Sequence, residues 1–489
     1  MTRRGQRLVM VIGLWLGALP LAAQTHVADS LWAAGKYPEA RAAYTQVLHE
    51  NPGSVRALFR LAILEGWDGN LDSALALLRD AREVEPKDPD VRLWEAKILA
   101  WNGDYRGAVA RYDSLIAENP DQRDPRFGRA QALAWWGRYT EADRALRALL
   151  EKDPKDTEAL VALARLRMWQ GRPEEADRYN GMALLASPQD PDALKLEPEL
   201  RALRRPDLEA TFGLAHDSDH NTVWWQSLGT SLLIGPGLRG FATVGSFEAG
   251  DPLRSGTRVS AEAGATLNRG DGSVTAAVGV RKLSADSGFS RALATIRLGA
   301  SYRLASWAGV DAGFAHYTID ETAFLLSDRL DINEVTADAD AVLAQRLTLG
   351  VGGGLGYLSD NNHRRSLVLA LTERLNGQLT VGAYGRGLWY DFRGNGYFSP
   401  DRFLLGEVRG TYARRLGRWE GRLAAGLGIE EVANGAGTEA EWHGDLRIAR
   451  HWGVANELAL SGGISNSAIS SATGAYHYYT GAVSVRVGL

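Results

Sequence analysis

The chain is 489 residues long, 45% apolar and 23% charged, with a formal net charge of −4. That is too long for one ordinary domain, too apolar for a disordered polyelectrolyte and not basic enough for a nucleic-acid binder. The absence of cysteine excludes a disulfide scaffold, a thiolate zinc site, a thiol nucleophile and a cysteine-linked lipid anchor.

Arg3, Arg4 and Arg7 precede an apolar run from Leu8 to Leu21 that closes on Ala22 and Ala23. A basic end, a short apolar core and small closing residues make residues 1–23 an expected secretory signal peptide. The run is short for a spanning helix, which needs about 20 apolar residues. Every later apolar run is interrupted by charge or glycine, so a membrane location would require a barrel.

Of the 55 glycines, 13 precede residue 207 and 42 follow it. The first part has a period. Gly35, Gly69, Gly103, Gly137 and Gly171 are each 34 residues apart, and so are Ala40, Ala74, Ala108, Ala142 and Ala176. Pro52, Pro86, Pro120, Pro154 and Pro188 keep the same step. Each unit reads as two helices: glycine ends the first, a small alanine lets the second pack closely, and proline closes the unit. These coincident positions resemble the tetratricopeptide repeat family, which implies a solenoid over residues 24–188 that binds a periplasmic protein partner. Trp67, Trp101, Trp135 and Trp169 lie two residues before four of the glycines. They are expected to pack between adjacent helix pairs; the alternative is a ladder that stacks on sugar rings. With 27 Lys or Arg against 30 Asp or Glu between Gln24 and Pro206, no groove for nucleic acid emerges. Residues 189–206 read as a capping helix and linker ended by Pro206.

From Asp207 the period becomes two. Val259, Ala261, Ala263, Ala265 and Leu267 alternate with Arg258, Ser260, Glu262, Gly264 and Thr266, as transmembrane β-strands do. Sixteen such segments begin near Leu208, Val223, Leu238, Thr257, Ser273, Arg291, Ala308, Leu330, Leu347, Arg364, Gln378, Arg402, Arg418, Thr438, Gly453 and Tyr476. Connections after even segments are mostly tight; those after odd segments, such as Asp320 to Asp328 and Arg393 to Asp401, are longer and polar. The expected fold is therefore an α + β multidomain chain: an N-terminal α-solenoid of tetratricopeptide repeats followed by a 16-stranded antiparallel transmembrane β-barrel over 207–489. Short periplasmic turns and long external loops would place the repeats in the periplasm and the barrel in outer-membrane lipid. The last strand, with Val483, Val485, Val487 and Leu489 on one face, resembles the terminal strand read by the barrel-insertion machinery. A soluble sheet sandwich or propeller would also alternate, but its inner face would not be rich in charge.

By parity, the lumen-lining candidates are Arg258, Glu262, Arg297, Asp338, Asp340, Glu407, Arg409, Arg422, Glu441, Asp445 and Arg447. Such a mixed lining selects weakly by sign yet offers donors and acceptors to a hydroxylated polymer; alternatively, these groups pair with one another and stiffen the wall. No catalytic residue, cofactor or metal site is expected. There is no nucleophile elbow, His-Glu-x-x-His or phosphate loop, and His216 and His220 fall in a solvated loop beside Asp217 and Asp219.

At the eleventh connection the chain reads Gly396-Tyr397-Phe398-Ser399-Pro400-Asp401-Arg402-Phe403. This run is similar to the C-terminal region of the outer-membrane subunit of bacterial cellulose secretion, and Ser359-Asp360-Asn361-Asn362-His363-Arg364 resembles a turn in the same group. The plan of signal peptide, repeats and porin also resembles the poly-N-acetylglucosamine exporter. The resemblance implies export of an exopolysaccharide, with Tyr397, Phe398, Ser399, Pro400 and Asp401 at the membrane rim or lining a mouth where a sugar chain stacks. Five repeats are fewer than the cellulose subunit carries. The other expectation is an outer-membrane scaffold whose repeats bind a partner and whose barrel is closed and transports nothing.

Overall fold

The computed structural model describes residues 21–489 apart from 306, 345, 434–436, 471–473 and 475–476. Residues 1–20 of the expected signal peptide and the expected last-strand start at Tyr476 lie outside the described residues. The chain divides into two compact units, Met1–Pro154 and Lys155–Leu489.

In the first unit, α1 (Leu21–Ala33), α2 (Tyr37–Glu50), α3 (Val55–Trp67), α4 (Leu71–Val84), α5 (Pro89–Trp101), α6 (Tyr105–Glu118), α7 (Arg123–Trp135) and α8 (Tyr139–Lys152) form four helical hairpins. Each repeat glycine sits just past a helix end with positive φ, 69° at Gly35 and 81° at Gly103. There the Gly35 N–H donates to Trp32 O at 2.9 Å and the Lys36 N–H to Leu31 O at 2.9 Å. This pair of bonds satisfies carbonyls that a helix end would otherwise leave bare. Ala40, Ala74, Ala108 and Ala142 are wholly buried, because any larger side chain there would hold the paired helices apart. At Gly128 an added Cβ would lie 2.5 Å from the buried Tyr112 ring.

The second unit opens with the fifth hairpin, α9 (Thr157–Trp169) and α10 (Pro173–Ala186), and a capping helix α11 (Pro191–Arg204). Sixteen strands follow: β1 (Asp207–Asp217), β2 (Thr222–Gly235), β3 (Leu238–Gly250), β4 (Ser255–Arg269), β5 (Gly272–Ala285), β6 (Ser290–Ala305), β7 (Ala308–Thr318), β8 (Asp331–Ala344), β9 (Leu347–Leu358), β10 (His363–Arg374), β11 (Leu379–Tyr390), β12 (Phe403–Leu416), β13 (Trp419–Val432), β14 (Gly437–Trp452), β15 (Asn456–Ser465) and β16 (Tyr478–Gly488). Each pairs antiparallel with its chain neighbours, and β1 pairs with β16 from Asp207↔Gly488 to Asp217↔Tyr478, closing the barrel. Each of β1 to β15 starts within three residues of the start expected from alternation.

The barrel wall is polarised inside out. On β13, Leu427 is 71% exposed while Glu430 is 3% exposed, the reverse of a soluble sheet. Exposed aromatics gather near both strand ends: Trp224, Tyr357, Trp442 and Tyr479 at one, Tyr302, Trp307, Trp419 and Trp452 at the other. An apolar band between two aromatic girdles is the outer surface of a transmembrane barrel. No described helix is long and apolar enough to cross a membrane.

The repeat geometry sets the response to three substitutions. Gly103→Ala forces a Cβ into positive φ and should cost about 1 kcal/mol. Gly128→Ala pushes on Tyr112 and should cost roughly 1–3 kcal/mol. Gly181→Ala, inside α10 with open space around it, should stabilise by about 0.5–1 kcal/mol. Thermal unfolding followed by the helical circular dichroism of the full chain measures all three.

Candidate functional site

Connection length separates the two ends of the barrel. At one end the strands are joined by two to four residues; at the other, three connections run to twelve, after β7 (319–330), β11 (391–402) and β15 (466–477). From the sequence these long connections are expected to be polar external loops. That is corrected for the first of them: Ala323-Phe324-Leu325-Leu326 forms a short helix, α12 (Ala323–Ser327), capped by the Thr322 hydroxyl, which accepts from the Leu325 N–H at 3.2 Å.

The described residues of all three connections fold onto the inner wall and pack together. Ile319, Leu325 and Leu330 of the first, Tyr397 of the second and Ala468 of the third share one buried apolar cluster with Leu388, Tyr390, Phe403 and Leu405 of β11 and β12. On its other side α12 packs Ala323 and Leu326 against Ala249, Leu283 and Leu293 of β3, β5 and β6. Leu325 and Leu326 are both wholly buried. A single turn of helix thus bridges from one part of the wall to another across the barrel mouth.

Polar ties fix each connection. Asp320, 2% exposed at its side chain, is held by the guanidiniums of Arg258 on β4 and Arg281 on β5, the latter at 3.1 Å. The Arg281 guanidinium also donates to Thr318 O at 2.9 Å. The third connection is pinned by Glu430 of β13, whose carboxylate accepts from the Ser467 hydroxyl and from the Ala468 N–H at 3.0 Å. In the second, Ser399 is buried and its hydroxyl accepts from the Gly394 N–H at 2.7 Å, Phe398 meets Phe403 edge-on at 5.7 Å, and the Pro400 carbonyl accepts from the Tyr390 N–H at 3.2 Å. Asp401 is exposed at the loop end.

The two segments that carried the resemblance meet here. The Tyr397 hydroxyl donates to Asp360 at 2.7 Å and accepts from the Asn362 amide at 2.8 Å. Asn362, wholly buried, also donates to Phe392 O and accepts from the Asp391 N–H at 3.0 Å. The turn at 359–364 is therefore the socket of the loop at 391–402. Burial and the adjacent Asp360 push the Tyr397 hydroxyl pKa well above its ordinary value, so it stays a donor at any physiological pH.

Among the described residues, two cavities lie inside this mouth. One of 260 Å³ is lined by Tyr317, Tyr390, Tyr397 and Phe398 together with Glu321, Glu334, Arg364 and Arg386. The other, of 420 Å³, is lined by Trp225, Phe247, Tyr478, His216 and Asp217 and again by Glu321. Glu321 and Ile469 line both. The Glu321 carboxylate is accessible to water yet ringed by protein. Burial, and secondarily the neighbouring Asp320 charge, raise its pKa above the usual carboxylate value.

The eleven wall residues divide into two groups. Arg258 pairs with Asp320, Arg297 with Glu262, Arg409 with Glu407, and Arg447 with Glu457; Glu441 Oε1 lies 3.0 Å from His443 Nδ1. Asp338, Asp340, Arg422 and Asp445 are exposed and carry no ion pair among the described residues. Asp338 stands directly across from Asp311 on β7, one carboxylate beside another. Trp67, Trp101, Trp135 and Trp169 are between 38% and 48% exposed, so one edge of each packs while the other meets solvent. Trp67 stacks on Trp32 at 5.5 Å and Trp101 meets Trp94 edge-on at 5.9 Å. His216 bonds Thr222 at 3.0 Å, and Asp217 is engaged by the Asn221 amide. His316 bonds Asn333 at 3.0 Å, and the Ser327 hydroxyl donates to Phe324 O at 2.7 Å.

Residues 68–134 and 137–198 match one model of the tetratricopeptide repeat and residues 28–65 another. No curated protein matches the chain. Among solved structures it is similar to a bacterial polysaccharide outer membrane secretin, at 13% identity over 58% of this chain and 99% of that one, with a TM-score of 0.47. It is similar also to a thermophilic tetratricopeptide protein in Thermus thermophilus, at 22% identity over 38% of this chain and 98% of that one, TM-score 0.33. A third is CdiB from Acinetobacter baumannii, at 9% identity, covering 58% and 60% of the two chains, TM-score 0.38. Likeness at this level assigns no function. The helical part of the chain is a set of tetratricopeptide repeats, a protein-interaction fold and not a catalytic one, joined to a closed 16-stranded antiparallel barrel.

Proposed function

We propose that the protein is an outer-membrane porin that passes an exopolysaccharide outward, with its repeats in the periplasm binding a protein partner. The observation that carries this reading is the lining of the mouth. Tyr317, Tyr390, Tyr397 and Phe398 surround a cavity that also holds Glu321, Glu334 and Arg364. Aromatic faces stack on the apolar face of a sugar ring while carboxylates and guanidiniums bond its hydroxyls. Unpaired Asp338, Asp340, Arg422 and Asp445 extend such contacts along the wall. Transport is driven by synthesis elsewhere, since the chain has no motif that would bind a nucleotide. The three inward connections act as a gate that the arriving polymer displaces.

The same closed mouth favours a second reading, a scaffold anchored by a barrel that never conducts. Planar-bilayer recording separates the two. Deleting residues 320–329 should convert a quiet channel into one with steady current that a neutral polysaccharide blocks. Absence of current in the deletion variant, with the barrel folded, would favour the scaffold.

Glu321 makes gating depend on pH. Its raised pKa in the closed mouth means that the closed form binds this proton more tightly than an open form with solvated Glu321, near about 4.3. Closure is therefore favoured at low pH, and the advantage is lost as pH rises through the raised value. Open probability should increase with pH across that window in the full-length protein, and Glu321→Gln should flatten the profile.

A further inference from the structure

We propose that Glu407, Glu441 and His443 form a binding site for one divalent transition-metal ion of the zinc class, in the barrel wall below the mouth. Glu407 lies on β12 and the other two on β14, with β13 between them. In register, Gly428 is opposite both Glu407 and Glu441, and Gly426 is opposite His443. Because β13 carries no side chain at either position, the two flanking strands reach each other over it. A Cβ at Gly426 would lie 2.4 Å from Glu407 Oε2 and 2.7 Å from His443 Nδ1.

The donor atoms stand where an ion would need them. His443 Nδ1 is 3.0 Å from Glu441 Oε1 and 3.2 Å from Glu407 Oε2, and ligand atoms from all three residues lie within 4.8 Å of one another. A tetrahedral ion with bonds of about 2.1 Å holds adjacent ligands about 3.4 Å apart. The carboxylates of Glu407 and Glu441 are 0% and 2% exposed. Each keeps a buried Oε2 outside any hydrogen bond among the described residues, and Glu407 Oε2 has only the 3.2 Å approach of His443 Nδ1. Two unsatisfied carboxylate oxygens at one buried spot are costly unless something positive engages them.

The surroundings orient the set. The Arg409 Nε donates to Glu407 Oε1 at 2.5 Å, and its guanidinium lies 3.6 Å over the Tyr384 ring. Arg409 thereby leaves Oε2 as the free ligand atom and fixes its direction, as an outer-shell partner does for a metal carboxylate. An imidazole with two carboxylates suits a zinc-class ion better than magnesium or calcium, which prefer oxygen alone. Three protein ligands leave a fourth position for water.

The test uses the full-length protein in detergent, stripped with EDTA and titrated calorimetrically with Zn²⁺. One zinc per chain is expected. His443→Ala and Glu441→Gln should each weaken binding at least tenfold, while His49→Ala, on the exposed face of α2, leaves it unchanged. Retention of the heat-dependent gel shift of a closed barrel shows that each variant is folded. Should a variant fail that check, Co²⁺ added to the wild-type chain supplies the decision through the visible absorption of a four-coordinate nitrogen–oxygen site. No stoichiometric zinc in the wild type, equal binding by a folded His443→Ala, or no cobalt band would each overturn the proposal.

Discussion

In a lipid interior no water is available to a bare N–H or C=O, so every strand must be paired on both sides. For this chain that constraint is met only by the pairing of β1 with β16, and the rest of the second unit follows from it. A closed ring has an inside. Once lipid takes the outer face, the alternate residues of every strand are committed to one shared interior, and Glu430 is buried while Leu427 is bare. Charge inside the ring and Val, Leu and aromatic side chains outside are two faces of the same pleat.

The interior is then filled unevenly. Short turns at one end add nothing to it, whereas three twelve-residue connections at the other, each four strands from the next, turn their described residues inward. Their apolar residues pay for burial by packing on one another, and their polar residues are matched to wall groups: Asp320 with Arg258 and Arg281, Ser467 with Glu430, Tyr397 with Asp360 and Asn362. Repeats and barrel solve different problems. A repeat buries alanines so that two helices can approach; the barrel uses inward glycines such as Gly426 and Gly428 so that side chains from separated strands can meet.

What could be read from the sequence was whatever has a period. The 34-residue step exposed the repeats, and the two-residue step located strand starts to within three residues, because both periods are imposed by backbone geometry acting locally. The inward fold of the long connections has no period. It depends on contacts between segments far apart in the chain, such as Tyr397 with Asp360. One local signal was present: four consecutive apolar residues from Ala323 to Leu326 are out of place in a solvated loop. Parity marked the wall residues but not their partners, since Arg258 is neutralised by a loop residue and Glu407 meets His443 only across an intervening strand.

The seam between β1 and β16 also orders events in time. Its pairs, such as Glu209 with Arg486, join residues 277 positions apart, the kind of contact that makes folding slow. The repeats, built wholly from neighbours in sequence, can fold while later residues are still arriving. The barrel has an open edge until its last strand is in place. For that interval both edge strands are templates for any other extended chain, so the eleven residues of β16 decide whether the molecule closes or aggregates.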